Sequence, residues 1–147
     1  MNKPINLEAV RARFAFECAE AGNKKQAATK ATNEDSNYSA AVQELSSMIR
    51  MNGLRATMAY YYSKGGAHKQ VFDDVKKWFQ KEDQTKMIAA KFVEQGNFMK
   101  ILLDLTDDEY RIVQAEVLTL ANWMIRFVKS PENNNDQNLE NQGDGQP

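Results

Sequence analysis

The amino-acid sequence predicts an all-α fold, namely a single-domain antiparallel bundle of five to seven helices followed by a disordered C-terminal tail. Apolar residues recur at the i, i+3, i+4, i+7 spacing of one helix face, and no stretch alternates with the two-residue period of a strand. From Pro131 onward the chain holds one leucine among Asn, Gln, acidic residues and Gly, too little apolar surface to offset the entropy cost of ordering. We therefore expect a helical domain at residues 1–130 and a disordered, acidic, Asn/Gln-rich tail at residues 131–147.

The first two helices are predicted from their apolar stripes. The first stripe consists of Leu7, Val10, Phe14, Cys18 and Ala21, and the second consists of Tyr38, Ala41, Val42, Leu45, Met48 and Ile49. Residues 22–36 between them lack large apolar side chains, so they either extend the first helix as a polar arm or form a loop. Asn52 and Gly53 tolerate the left-handed conformation that ends a helix, so the second helix is expected to end there.

Two further stripes follow the Asn52–Gly53 corner. A short third helix carries Leu54, Met58, Tyr61 and Tyr62 and closes at Gly65–Gly66. A fourth helix carries Val71, Phe72, Val75, Trp78 and Phe79, with lysines at 69, 76, 77 and 81 on the outer face. This outer face is therefore expected to be basic.

The last third of the chain predicts a fifth helix around residues 87–93, an interruption at 95–97 and an apolar run at 98–105. Thr106 and Glu109 form a capping box, which predicts that a long helix starts there and ends before Ser130–Pro131. The buried stripe of this helix is expected to contain Tyr110, Val113, Val117, Leu120, Ala121, Met124 and Val128, widened by Trp123 and Phe127.

Length and composition fit one soluble domain. A chain of 147 residues buries enough surface for a core without metals or disulfides. Cys18 is the only cysteine, so an intramolecular disulfide and a multi-cysteine zinc site are excluded, and we expect a cytoplasmic protein. We also expect neither a signal peptide nor a membrane span.

Catalytic, metal and cofactor sites are not predicted. His68 is the only histidine and has no nucleophile motif beside it, so a surface or capping role is expected. Cys18 lies on an apolar stripe, where a core role is expected. The acidic pair Asp73–Asp74 and the acidic run 107–109 are each assigned to the first turn of a helix, where the helix dipole accounts for them.

Basic residues in the middle of the chain are the stronger functional signal. Between Arg50 and Lys91 there are nine basic and four acidic residues. A solvated helix surface explains such charges without any function, whereas single-stranded nucleic acid is bound by basic grooves with aromatic rings for stacking. The three tyrosines at 60–62 cannot all enter one core, so at least one is expected to be exposed.

One family combines the corner and the last helix in this way. The residues concerned are Arg11–Ala12, Tyr38, Met48 to Leu54, Met58 to Tyr60, Lys64, Tyr110–Arg111, Glu116 to Leu118 and Trp123 to Phe127. Together they resemble the small helical subunit of the type III-B CRISPR effector, the Cmr complex. The resemblance spans roughly residues 7–129.

The resemblance implies a non-enzymatic subunit that stacks beside copies of itself and the backbone subunits and lines the channel where target RNA pairs with guide RNA. It implies no small-molecule substrate. Residues proposed from their charge to contact RNA phosphates are Arg50, Arg55, Lys64, Lys69, Lys76, Lys77, Lys24 and Lys25. Residues expected to contact other subunits are Arg111, Arg126 and Tyr60.

Two alternatives stay open at this point. The first is the small subunit of another CRISPR effector, type III-A or type I, and the Asn-Gly-Leu corner favours type III-B over it. The second is a helical adaptor that binds protein without nucleic acid, and affinity for nucleic acid would discriminate it. An enzyme is the interpretation that the residues support least.

Overall fold

The chain folds into a helical bundle in the computed structural model, which describes residues 6–29, 37–81 and 97–128. We number the six helices within these ranges in chain order. They are α1 (Leu7–Thr29), α2 (Tyr38–Asn52), α3 (Leu54–Lys64), α4 (Gly66–Gln80), α5 (Phe98–Asp104) and α6 (Asp107–Val128). The described ranges contain no strand, and the predicted all-α class is confirmed.

Several sequence-based predictions concern residues outside these ranges. The fifth predicted helix at 87–93, the helix end at 130–131 and the tail at 131–147 all lie outside the described residues. The polar run at 22–36 is described as far as Thr29, and this first part extends α1.

The ends of α2 follow from local chemistry. The side chain of Asn37 accepts a 2.9 Å hydrogen bond from the backbone N–H of Ala40, which satisfies a donor that the first turn leaves without a helical partner. At the other end, Gly53 has φ +85°, a conformation that other residues rarely adopt, and its N–H donates to the Ile49 carbonyl at 2.8 Å. The predicted helix end at Asn52–Gly53 is confirmed.

The capping box before α6 is also confirmed. The backbone N–H of Thr106 donates to Glu109 Oε1 at 3.0 Å, and the Glu109 N–H donates to Thr106 Oγ1 at 3.2 Å. The two residues thus satisfy each other's backbone donors and fix where the long helix begins.

The core is formed mainly by the predicted stripes of α2, α4 and α6. The largest fully buried side chains include Trp78, Tyr38, Tyr61 and Phe79. On α1 the buried face holds Phe14, Ala15, Cys18 and Ala19. Ala21 is exposed, so the predicted stripe of α1 was wrong at that position. The predicted core role of Cys18 is confirmed.

Tyr38 on α2 packs directly against the backbone of α1 at Gly22. A Cβ added at Gly22 would overlap the Tyr38 ring, so α1 passes this ring only because residue 22 has no side chain. Near the same place, the Gln26 side chain accepts a hydrogen bond from the Ser39 N–H at 3.2 Å. The start of α2 is therefore fixed against the second half of α1.

An ion pair joins α1 to α6 at the edge of the core. Arg11 Nε donates to both carboxylate oxygens of Glu116 at 2.9 Å, and Arg11 Nη2 lies 2.8 Å from Glu116 Oε2. The indole N–H of Trp78 on α4 donates to Glu116 Oε1 at 3.1 Å. Glu116 thus connects three helices, and sequence periodicity did not single it out as a buried residue.

Two sequence-based assignments on α4 were wrong. His68 was expected at the surface or in a cap, but it is buried at 5% exposure, with Nε2 3.4 Å from Glu44 Oε2 and its ring against Tyr60 and Tyr61. Asp73 and Asp74 were assigned to a first turn. Because α4 begins at Gly66, they lie in the middle of the helix, where the N-terminal dipole does not stabilise them.

Candidate nucleic-acid interface

The corner between α2 and α3 places its two arginines in different surroundings. Arg50 lies in the last turn of α2 and is exposed beside Met51, which is 81% exposed. Arg55 lies in the first turn of α3 and is partly buried. The corner therefore offers Arg50 directly to solvent and directs Arg55 toward the protein.

Arg55 joins the corner to α5. Its Nε donates to the Leu102 carbonyl and its Nη2 to the Leu105 carbonyl, each at 3.0 Å. Leu102 lies in the last turn of α5 and Leu105 directly follows the helix, where backbone carbonyls lack partners within the helix. The guanidinium also lies 4.1 Å from the centroid of the Tyr110 ring. Arg55 therefore has a structural role that the sequence did not reveal.

Tyr110 completes this junction from α6. Its hydroxyl oxygen accepts hydrogen bonds from the backbone N–H groups of Leu54 at 2.8 Å and Arg55 at 3.2 Å. Gln114 Oε1 accepts from the same Leu54 N–H at 3.1 Å. Because Gly53 has no side chain to cap α3, two residues of a distant helix satisfy its first N–H groups.

The lysines of α4 do not form one continuous basic face. Lys69 and Lys76 lie beside Asp73, with Nζ to Oδ1 distances of 2.8 Å and 3.9 Å, and each of the three side chains is about one-third exposed. Lys77 is exposed. Its charge lowers the pKa values of the buried Cys18 and Asp74, against the rise that burial causes. The predicted basic face is thus divided, and part of its charge is balanced by Asp73.

The cluster around Asp74 is internal. The Tyr38 hydroxyl donates to Asp74 Oδ2 at 2.6 Å, and the Cys18 thiol is near the same carboxylate. Burial raises the pKa of Asp74 to about 6, against the lowering effect of Tyr38, Lys77 and Cys18. Burial likewise raises the pKa of Cys18 far above its usual value, so the thiol is not a ready nucleophile.

The three consecutive tyrosines have different environments. Tyr61 is fully buried, its hydroxyl donates to the Ala41 carbonyl at 2.6 Å, and burial raises its pKa well above the usual range. Tyr60 is 41% exposed and Tyr62 is 54% exposed. The expectation that one tyrosine is exposed is confirmed. The placement of Tyr62 in the buried stripe was wrong, because consecutive helix positions point about 100° apart.

A lysine lies next to each of the two exposed tyrosines. Lys64 Nζ donates a hydrogen bond to the Tyr60 hydroxyl oxygen at 3.2 Å, one turn away on α3. Lys69 Nζ lies 5.3 Å from the centroid of the Tyr62 ring. The structure therefore brings two of the predicted RNA-contacting lysines next to exposed aromatic rings.

The remaining predicted residues are distributed over other helices. Lys24 and Lys25 are exposed on α1, where Lys24 Nζ lies 3.9 Å from Glu20 Oε1. Arg111 and Arg126, expected at subunit contacts, are exposed on α6. Their contacts with RNA or with other subunits stay predictions.

An aromatic cluster on α1 and α6 was not foreseen as a surface feature. Trp123 stacks on Phe127 with centroids 6.0 Å apart, Phe127 meets the exposed Phe16 edge-on at 5.3 Å, and the Arg126 guanidinium lies 4.9 Å from the Trp123 centroid. Trp, Arg and Phe are the residue types that dominate protein interfaces. Their spacing on α6 indicated a helix face, but only the neighbouring Phe16 shows that the face forms a cluster.

Neither a metal-binding cluster nor a membrane-spanning helix is found within the described ranges. Among these residues, no three or more His, Cys, Asp or Glu side chains are grouped so as to hold a metal ion. None of the described helices has the length and apolar character needed to cross a membrane.

Fold and surface together define a small all-helical protein whose exposed cations and aromatic rings suit contact with larger partners. The family model described as CRISPR-associated protein (Cas_Cmr5) matches residues 7–131, and the chain belongs to this family. It is therefore a small-subunit protein of the type III-B CRISPR effector, the Cmr complex, as the resemblance in its sequence implied. No curated protein matches the chain.

Proposed function

We propose that this chain is a non-catalytic small subunit that stacks along the filament of the Cmr complex and contacts the channel of guide and target RNA through its lysines. The observation that carries the proposal is the family match over most of the chain. The exposed cations of α2, α3 and α4 support the RNA contact, since neutralisation of phosphates dominates sequence-independent binding.

The proposed RNA contacts differ in how readily they are available. Arg50, Lys64 and Lys77 are exposed, and Lys69 and Lys76 are partly exposed. Arg55 already donates to two carbonyls, so we assign it mainly to the corner and keep any RNA contact secondary. The exposed Lys24 and Lys25 would extend the contact onto α1.

The proposed subunit contacts lie on two surfaces. Arg126, with Trp123, Phe127 and Phe16, offers an aromatic contact of the kind found at protein interfaces. Arg111 on α6 and Tyr60 on α3 would add contacts with neighbouring copies or backbone subunits. We place the assembly in the cytoplasm.

The aromatic cluster also favours the alternative of a helical adaptor that binds only protein. Salt dependence separates the two functions, because RNA phosphate contacts release counterions and apolar protein contacts do not. With about five contacts to single-stranded RNA, log affinity plotted against log salt is expected to have a slope of roughly −3.5.

The experiment uses the full-length chain assembled with the larger Cmr subunits and a guide RNA. Co-purification of small RNAs and these subunits with the tagged chain tests assembly, and target-RNA affinity at several salt concentrations tests the RNA contact.

The triple substitution Lys69→Gln, Lys76→Gln and Lys77→Gln is expected to flatten the slope by roughly 2, at about 0.7 for each lost contact. Lys100→Gln, at an exposed lysine of α5, is the matched control. An unchanged slope in the triple variant would contradict the RNA contact, and failure to co-purify would contradict assembly.

A further inference from the structure

Tyr62 is an aromatic ring that is fixed in place yet mostly exposed. Its ring meets Phe72 of α4 at a centroid distance of 5.2 Å and an angle of 62°, and Phe72 in turn meets Phe98 of α5 edge-on at 5.5 Å. Despite these contacts, 54% of Tyr62 remains exposed. Because contact with Phe72 already restricts the Tyr62 side chain, the side chain loses little conformational entropy when a flat ligand stacks on its exposed face.

A cation is held over the same ring. Lys69 Nζ lies 5.3 Å from the Tyr62 centroid, 5.6 Å from the Phe72 centroid and 2.8 Å from Asp73 Oδ1. Lysine ammonium has three donors, and Asp73 accepts one of them, so others remain for an anionic ligand. Lys76 Nζ lies 3.9 Å from the same Asp73 oxygen, and its side chain is about one-third exposed. An aromatic ring and two ammonium groups therefore share one surface on α3 and α4.

We propose that this surface, formed by Tyr62, Lys69, Phe72 and Lys76, is a stacking platform on which an unpaired base of single-stranded RNA rests while the two lysines contact the adjacent phosphates. The inference rests on the RNA contact proposed above and assigns it a particular ring. Stacking on tyrosine does not discriminate among bases, because every base has a π-face, so the platform holds a strand of any sequence.

An acidic protein segment would satisfy the lysines equally well, but it has no general use for an exposed aromatic ring beside Lys69. A nucleotide combines a flat aromatic group and an anionic phosphate within one unit, which matches the pairing of Tyr62 with Lys69. The platform therefore fits single-stranded nucleic acid better than an acidic peptide.

The test compares Tyr62→Leu with Tyr62→Phe in the full-length chain. Leucine retains apolar contact with Phe72 but removes the π-face, whereas phenylalanine retains both. The probe is a single-stranded 12-nucleotide polyuridine RNA that carries one 2-aminopurine, whose fluorescence is quenched when the base stacks. Fluorescence anisotropy of a terminal dye reports affinity on the same samples, and thermal unfolding checks that both variants remain folded.

Tyr62→Leu is expected to weaken binding roughly 5- to 150-fold and to abolish protein-dependent quenching, while Tyr62→Phe matches the wild type. Ile112→Ala, at an exposed apolar residue of α6, is expected to leave both signals within about twofold of the wild type. Lys69→Gln is expected to flatten the salt slope by about 0.7.

The proposal is overturned if Tyr62→Leu and Tyr62→Phe behave alike, or if the wild-type chain does not bind the probe. It is also overturned if Tyr62→Leu reduces recovery of a neighbouring Cmr subunit and leaves RNA binding intact, which would make the ring a protein contact. RNA retention and salt dependence of the assembled complex test the proposed function separately. If the complex keeps its salt slope while Tyr62 has no effect, only the platform fails.

Discussion

Tyr38 and Asp74 are 36 residues apart in the chain and share a buried hydrogen bond of 2.6 Å from the tyrosine hydroxyl to the aspartate. This bond joins the first turn of α2 to the middle of α4, and the Cys18 thiol of α1 is near enough to affect the pKa of the same carboxylate. Side chains of three helices therefore meet at one acidic group that burial holds away from water.

The first prediction concerns the pH dependence of stability. The pKa of Asp74 is about 6 in the folded protein against an ordinary value of 3.8, so between these values the folded state holds a proton that the unfolded chain has released. Stability contributed by this group is therefore present below about pH 4 and is lost as the pH rises to 6, by roughly 2–3 kcal/mol.

Asp74→Asn isolates that effect, because the amide oxygen still accepts the Tyr38 hydrogen bond and does not titrate. Urea unfolding at a series of pH values is expected to show that the variant gains on the wild type between pH 4 and 6 and stays ahead at pH 7. A constant difference across this range would contradict a raised pKa at Asp74.

The second prediction concerns Gly22. Replacing glycine by alanine inside a helix ordinarily stabilises by roughly 0.5–1 kcal/mol. Here the added methyl group overlaps the Tyr38 ring, which its bond to Asp74 holds in place, so Gly22→Ala is expected to destabilise by roughly 1–3 kcal/mol. Gly22→Ala is therefore expected to lower the melting temperature. A melting temperature above that of the wild type would show that the Tyr38 ring moves aside freely.

The third prediction separates the two arginines of the corner. Arg55→Ala removes two hydrogen bonds to carbonyls of the α5 end and the contact with Tyr110, and it is expected to lower stability by roughly 2–4 kcal/mol. Arg50→Ala is the matched control, since Arg50 is exposed and is expected to change stability by less than about 0.5 kcal/mol. Equal effects on chemical denaturation would contradict the structural role of Arg55.

The fourth prediction concerns the Tyr110 hydroxyl. Tyr110→Phe keeps the ring under Arg55 and removes only the acceptor for the N–H groups of Leu54 and Arg55. We expect a loss of about 1 kcal/mol, typical of a lost helix cap, because Gln114 still accepts from Leu54. Hydrogen exchange of the Leu54 and Arg55 amides is expected to accelerate. Unchanged protection of the Arg55 amide would contradict the cap.

The fifth prediction tests the ion pair between Arg11 and Glu116. Glu116→Leu leaves the guanidinium in a site where its side chain is only 18% exposed, and is expected to destabilise by roughly 3–5 kcal/mol. Adding Arg11→Met removes the unpaired charge, so the double variant is expected to be more stable than the single one. It remains below the wild type because the Trp78 N–H has lost its acceptor. Additive losses in urea unfolding would contradict the pairing.

Local sequence patterns predicted the positions and ends of several helices. Helical periodicity located the stripes of α2, α4 and α6, Gly53 marked a helix end because few other residues adopt its conformation, and the capping box of Thr106 and Glu109 marked a helix start. These features depend on residues within a few positions of each other, so they can be predicted from the amino-acid sequence alone.

Family membership was also contained in the sequence. The corner and the last helix indicated the small subunit of the type III-B effector, and the family match over residues 7–131 confirms that assignment.

Tertiary structure decided what depends on contacts between distant residues. Arg50 and Arg55 have the same charge and flank the same corner, yet only Arg55 meets the carbonyls of α5 and the ring of Tyr110. Tyr61 and Tyr62 are chemically identical neighbours, and the packing of α4 buries one and leaves the other exposed beside Lys69. Side-chain type and local spacing predict that a helix forms and which face is apolar, but the partner of each charged or aromatic side chain exists only once the helices have packed.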